Sequence, residues 1–275
     1  MSDPKGYTLV EVMLFIALTS FLLLVAVSNI TAAQRNVQFA QSVRDLESRV
    51  GDLINDVPTG FFPTNSTIGC RVLGSGPDIY ISAGEELGSN ENCLHVGKAL
   101  QFSPDGNDDK LLVYTLAGRR LSSNDSPVLN IDEAEPVAVA KPLDLSFNDV
   151  VTEITLGNGV EFGRIFNADV SPPTASSSFG IIGIVTNFEG TTPTNKVSEG
   201  QSVQIGGILG STQGVAKSNA VNRINTLSSA NFVTAEGGMV ICLTDGGNRK
   251  ASLTIGSKGS GGVRLDIDDY NVGCN

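Results

Sequence analysis

From position 7 to position 30 the chain is almost wholly apolar: it holds no Lys, Arg, Asp or Gly, and Glu11 is its one charge. A bilayer is crossed by about 20 apolar residues in helical form, so 7–30 predicts a transmembrane helix. Past it the pattern changes but does not stop. Val37, Ala40, Val43, Leu46, Val50, Leu53 and Val57 recur at spacings of three and four, with Arg35, Gln38, Gln41, Arg44, Asp45, Glu47, Arg49 and Asp52 between them. This predicts an amphipathic continuation over 31–58, which Pro58 and Gly60 end. The combined helix has about 50 residues and a length of roughly 75 Å.

The remaining residues, 59–275, read as a β-rich globular head, large enough for a substantial core. Candidate strands are 99–102, 110–116, 159–166, 180–188, 202–209, 239–243, 249–255 and 263–267. In Val263-Arg264-Leu265-Asp266-Ile267 the alternation gives one buried and one wet face. Turn formers fill the gaps, as in Ser75-Gly76-Pro77-Asp78 and Gly190-Thr191-Thr192-Pro193. A short helix is expected over 218–229, with Val221, Ile224 and Leu227 at spacing three. The fold class is therefore α+β, a long N-terminal helix packed on a β-rich head.

Glu11 is the anomaly. An ionised carboxylate in an apolar helix costs roughly 2.5–3.5 kcal/mol at the bilayer centre and less near an end, so it calls for a partner. A secretory signal peptide has a shorter core, and its cleavage site follows that core. Here Gly6 precedes the core. A plain signal anchor accounts for the apolar length and for Lys5 on the cytoplasmic side, but leaves Gly6 and Glu11 unexplained.

Gly6-Tyr7-Thr8-Leu9-Val10-Glu11, with a polar leader before it and a long apolar helix after it, resembles the processing signal of the type IV pilin and pseudopilin family. The resemblance implies that residues 1–6 are a leader and that a prepilin peptidase cuts between Gly6 and Tyr7. The new amine of Tyr7 would be N-methylated. It also implies the family's lollipop architecture and assembly through the N-terminal helix, with Glu11 facing the amine of a neighbouring subunit. An α-amine with a reference pKa near 7.7–8.0 is largely cationic at neutral pH, so this pairing lowers the cost of burying Glu11. Within one helix the two positions lie about 6 Å apart along the axis, so self-neutralisation is an alternative. Many major pilins carry a Pro in the middle of the membrane run. None occurs here, which makes the helix more like that of a minor pilin or pseudopilin, and with the large head a minor pilin is preferred. Phe102-Ser103-Pro104-Asp105-Gly106, and the run from Val240-Ile241-Cys242 to Gly262-Val263-Arg264, resemble the terminal sheet of small pseudopilins and related minor pilins. Residues 120–235 match no part of that pattern and are expected to be an inserted or variable region.

Four cysteines in an exported domain are read as disulfides, because that compartment is usually oxidising. Three pairings are open, as are buried free thiols. The sequence neighbours Cys70 with Cys93 and Cys242 with Cys274 are favoured, and the second pair resembles the C-terminal disulfide loop of many pilins. Catalysis finds little support. The one histidine, His95, has no nucleophile elbow, phosphate loop or HExxH around it, so neither an enzyme nor a cofactor is expected. Asp105, Asn107 and Asp109 sit at the first three spacings of a calcium loop. Lys110 then stands where such a loop has Gly, and Leu116 where it has Glu, so a polar hairpin turn is the preferred reading.

A net charge of −11 disfavours general attraction to nucleic acid. Arg249, Lys250, Lys258 and Arg264 cluster near the C-terminus, but without Trp and with only four Tyr a solvated face is the better account. The apolar run predicts a single-pass protein of the cytoplasmic membrane, and the resemblance implies that this precursor becomes a structural subunit of an extracellular or periplasmic filament. Its expected partners are other pilin subunits, the prepilin peptidase and an inner-membrane assembly platform. A type II secretion pseudopilin is the alternative within the family. A signal-anchored extracytoplasmic binding protein or adhesin is the alternative outside it.

Overall fold

A 3.6-residue period runs unbroken through the first element, α1, which spans Leu9–Thr59 and has 51 residues. At 1.5 Å per residue it is about 76 Å long. The structure is a computed structural model that describes residues 8–59, 68–74, 76–81, 93–140, 151–170, 178–186, 203–256, 262–267 and 274. After α1 come the strands β1 (Ile68–Leu73), β2 (Gly76–Ile81), β3 (Cys93–Phe102) and β4 (Lys110–Arg119), then the short helix α2 (Ile131–Ala134). The chain continues through β5 (Val137–Ala138), β6 (Thr152–Thr155), β7 (Glu161–Asn167), β8 (Ile181–Thr186) and β9 (Val203–Ile208) to helix α3 (Lys217–Ile224). It closes with β10 (Phe232–Thr234), β11 (Met239–Thr244), β12 (Lys250–Ile255) and β13 (Val263–Ile267).

Two antiparallel sheets build the head. The larger runs β10-β9-β8-β3-β4-β5, with β6 pairing further along β4, and the smaller runs β13-β12-β11-β7. β1 and β2 form a separate hairpin. The strands expected at 99–102 and 110–116 are longer than their apolar cores indicate, because β3 and β4 pair from Cys93↔Arg119 to Phe102↔Leu111. Hairpin β1–β2, the short strands β5, β6 and β10, and helix α2 have too little periodic sequence to be read in advance.

Alternation along the central strands divides the core into two layers. Leu100, Phe102, Leu111, Val113, Ile182 and Ile184 face α1 and the smaller sheet, which supplies Phe162, Ile165, Ile241, Leu253 and Ile255. Ala99, Leu112, Tyr114, Leu116 and Ile181 face the other way, under Ala134, Val221, Ile224 and Leu227. A sheet covered on both faces explains the continuous apolar run of β4. Burial at both faces also forces its polar groups into partnership. The Tyr114 hydroxyl donates to Gln101 Oε1 at 2.7 Å, and Gln101 Nε2 donates to the Val215 carbonyl at 2.8 Å.

The apolar stripe of α1 departs from expectation at one end. Val37 is exposed, while Phe39 and Ile54 are buried with Val43, Leu46, Val50 and Val57. At 100° per residue Val37 lies about 120° around the helix from Val43, whereas Phe39 lies within about 40° of it. Residues 120–235 are the stretch expected to be an inserted or variable region. Its described residues supply β7 to the smaller sheet and β5, β6 and β8 to β10 to the larger one, with Ile165, Ile182, Ile184 and Ile205 in the main core.

Both disulfides join sequence neighbours. Cys70 bonds Cys93, tying the β1–β2 hairpin to the start of β3, and Cys242 bonds Cys274. The second lies with Phe166, Val240 and Ala168 on the face of the smaller sheet turned away from the main core. Closing loops of this size stabilises a fold by about 3 kcal/mol each in the chain-entropy account.

Candidate functional site

Helix α1 starts at a cap. Thr8 lies just before it, and its hydroxyl oxygen accepts the backbone N–H of Glu11 at 3.3 Å. That satisfies one of the donors a helix start leaves open. Thr-x-x-Glu is the spacing of a capping box, and it puts the Glu11 carboxylate at the positive end of the helix dipole. The signal, a Thr three residues before a Glu at the head of an apolar run, stands in the sequence.

From this cap onward the helix is bare. None of the span Leu9–Val27 is buried, and among the described residues this is the one helix long and apolar enough to cross a membrane. Fifteen large apolar side chains between Leu9 and Ile30 are exposed, from Leu9 at 73% to Val25 at 44%. Burying such a side chain is worth about 1.5–3 kcal/mol, so covering all of them is worth about 20–45 kcal/mol. A domain's net stability is only about 5–15 kcal/mol, so this surface demands lipid or protein around it. One polar side chain within the span is already suited to a dry setting. The Thr19 hydroxyl donates to the Phe15 and Ile16 carbonyls at 2.9 and 3.1 Å, so it carries no donor into hydrocarbon unpaired.

The second half of the same helix is fastened to the head. Its apolar stripe packs in the main core. Three polar contacts flank that stripe. Arg249 Nε donates to Asn36 Oδ1 at 2.6 Å. Asn158 Nδ2 donates to Ser42 Oγ at 2.7 Å and to the Gln38 carbonyl at 3.3 Å. Lys98 Nζ donates to Asp56 Oδ2 at 2.5 Å. Lys98 is 4% exposed, so its ammonium depends on that carboxylate. The boundary between bare and fastened helix thus falls near residues 36–39. None of the three contacts joins residues close in sequence, which is why pattern reading misses them.

The remaining candidates fall into place separately. Gly6 and Tyr7 lie outside the described residues, as does Lys258. Asp105 sits in the single 3-10 turn Pro104–Gly106 with φ 53°, the carbonyls of Asp108 and Asp109 accept the N–H groups of Phe162 and Leu156, and Lys110 pairs with Glu153. Among the described residues no group of three or more His, Cys, Asp or Glu is placed to hold a metal ion. Arg249 pairs with Asp245 and Arg264 with Asp266, so the basic cluster near the C-terminus is largely compensated. His95 is partly buried, and that burial, reinforced by the nearby Lys98 charge, pushes its pKa down to about 4. Its charged neighbours are Lys98 and Asp56, the pair that holds the helix.

No protein-family model matches this chain, and no curated protein or solved structure matches it.

Proposed function

We propose that this chain is a structural subunit of a type IV pilus or related filament, made as a membrane-anchored prepilin and assembled through the bare half of α1. One observation carries the reading: a single unbroken helix is wholly uncovered and apolar over Leu9–Val27, then fastened to a β-rich head from about Asn36. Such a helix anchors the precursor in the membrane, and copies packed side by side cover the same surface once the chain leaves it. Glu11, the only charge in the apolar run, then meets the Tyr7 amine of a neighbouring copy. The large head and the absence of Pro from 7–30 favour a minor subunit. Its partners are other pilin subunits, a prepilin peptidase that cuts after Gly6, and an inner-membrane assembly platform.

Intact-mass and N-terminal peptide analysis of protein from membranes and from a sheared-surface fraction tests this. The expected product begins at N-methylated Tyr7 and is present in the sheared fraction. The same product confined to membranes favours a type II secretion pseudopilin. A chain that keeps residues 1–6 in cells with an active prepilin peptidase overturns the reading and leaves a membrane-anchored binding protein.

A further inference from the structure

We infer that the groove between helix α3 and the loop after β9 is a binding site for a carboxylate-bearing sugar. The cavity has a volume of about 400 Å³, within the roughly 300–1,000 Å³ of small-molecule sites. Its lining includes Asn219, Asn222 and Arg223 of α3 and Thr226 just beyond it, faced by Gly210 and Val215. Position 219 is followed at spacings of three and four by 222 and 223, and these by 226 at four and three, so the four lie along one side of the helical turn and their polar groups converge on the groove.

Arg223 is the anchor. A Cβ at Gly210 would lie 3.3 Å from Arg223 Nη1 and 3.4 Å from Cζ, so the guanidinium rests close against bare backbone. Gly210 has φ +71°, a second reason for glycine there. Arg49, Arg71, Arg119, Arg249 and Arg264 are each paired with a carboxylate. Among the described residues Arg223 pairs with none, as is also true of Arg35, Arg44, Arg120 and Arg164, so it is the seat against Gly210 within the groove that sets Arg223 apart. Its planar fork matches a carboxylate with two parallel hydrogen bonds.

The rest of the lining selects what carries that carboxylate. The Asn219 and Asn222 amides each offer both donors and an acceptor, and the Thr226 hydroxyl, whose proton goes to the Arg223 carbonyl at 3.0 Å, offers an acceptor, which together suit a row of sugar hydroxyls. A phosphate would engage the guanidinium and the amide N–H groups but leave the amide and hydroxyl oxygens to water. No aromatic ring lines the groove, so a nucleobase finds no stacking surface. A hydroxyl-rich monoanion of the uronic acid type satisfies the whole set. Helix-dipole compensation alone explains a cation in the last turn of α3, but it explains neither the seat at Gly210 nor the amide row.

The site stands independently of the filament reading. The test is calorimetric or saturation-transfer titration of the full chain in detergent with glucuronate, glucose and inorganic phosphate. Glucuronate is expected to bind saturably and at least tenfold more tightly than either glucose or phosphate. Arg223→Gln should weaken glucuronate at least tenfold, and Asn222→Ala severalfold. Both side chains are exposed, so the unfolding midpoint should not move. Absence of saturable glucuronate binding, phosphate or glucose binding as tight as glucuronate, or an unaltered affinity in Arg223→Gln overturns the assignment.

Discussion

The side-chain amide of Asn158 donates to the hydroxyl of Ser42 at 2.7 Å, joining the turn between β6 and β7 to the helix 116 residues earlier in the chain. The turn makes this contact available. Val160 N–H bonds the Gly157 carbonyl, and Asn158 and Gly159 both have positive φ, 58° and 71°. That is a type I′ turn, whose two central positions favour Asn-Gly. The left-handed backbone thus places the Asn158 amide over the Gln38 and Ser42 turn of α1.

Two substitutions separate these roles. Asn158→Gly keeps the turn and removes the link, at an expected cost of about 1 kcal/mol. Asn158→Ala also puts a Cβ into a left-handed backbone, adding roughly 1–2 kcal/mol. Denaturant titration should therefore rank Ala clearly below Gly, and equal midpoints would show that the turn geometry is dispensable.

Asp56 and Lys98 give an asymmetric prediction. Asp56→Ala leaves the Lys98 ammonium buried beside α1 without its carboxylate, and should cost roughly 2–4 kcal/mol after allowance for the partial exposure of Asp56. Lys98→Met removes the charge but keeps the stem packing, so it should change stability by less than about 1.5 kcal/mol. The double variant should recover most of the Asp56→Ala loss in thermal unfolding. If it does not, the ion pair is not what Asp56 supplies.

His95 makes stability depend on acidity. Its pKa in the folded head is lowered from 6.5 to about 4, first by burial and then by Lys98. Between those values the unfolded chain binds a proton that the folded chain does not. The contribution is therefore complete above about pH 6.5 and is lost as the pH falls toward 4. Each unit is worth about 1.4 kcal/mol at most, and on the order of 2–3 kcal/mol in all after allowance for partial exposure. His95→Gln should flatten the curve of stability against pH across that window. A wild-type curve already flat there would remove His95 as the cause.

Glu11→Ala should insert into membranes at least as well as the parent chain, because it removes the one charge from the apolar run. Under the filament reading it should reach the sheared-surface fraction at a small fraction of the parent level. Undiminished incorporation would show that the carboxylate is not needed for packing between copies. Helix content by circular dichroism in detergent should fall only slightly, since Glu11 is one member of a cap that Thr8 still closes.

Much of the fold was open to reading because its signals are local. A wholly apolar run followed by a three-four stripe gives α1 to within about two residues of its observed ends. Alternation and bracketing turn residues give β8, β9, β11, β12 and β13 nearly whole. The Asn158-Gly159 turn and the Thr8-x-x-Glu11 cap were equally local and could have been read, whereas Phe39 and Ile54 escaped because a stripe drawn from Val37 starts on the wrong side of the helix.

Local pattern is enough to establish that a long helix has one half suited to lipid and one half suited to a core, and that a β-rich domain follows. These follow from periodicity and composition, which depend on neighbours along the chain. Tertiary packing alone settles where the helix becomes covered, that β7 joins the smaller sheet and β8 to β10 the larger, and that Asn36, Ser42 and Asp56 meet Arg249, Asn158 and Lys98. It alone also put Arg223 against Gly210 at the edge of a polar groove. Each of these joins positions brought together by how strands pair and stack, and a hydrogen bond between distant residues leaves no period in the sequence.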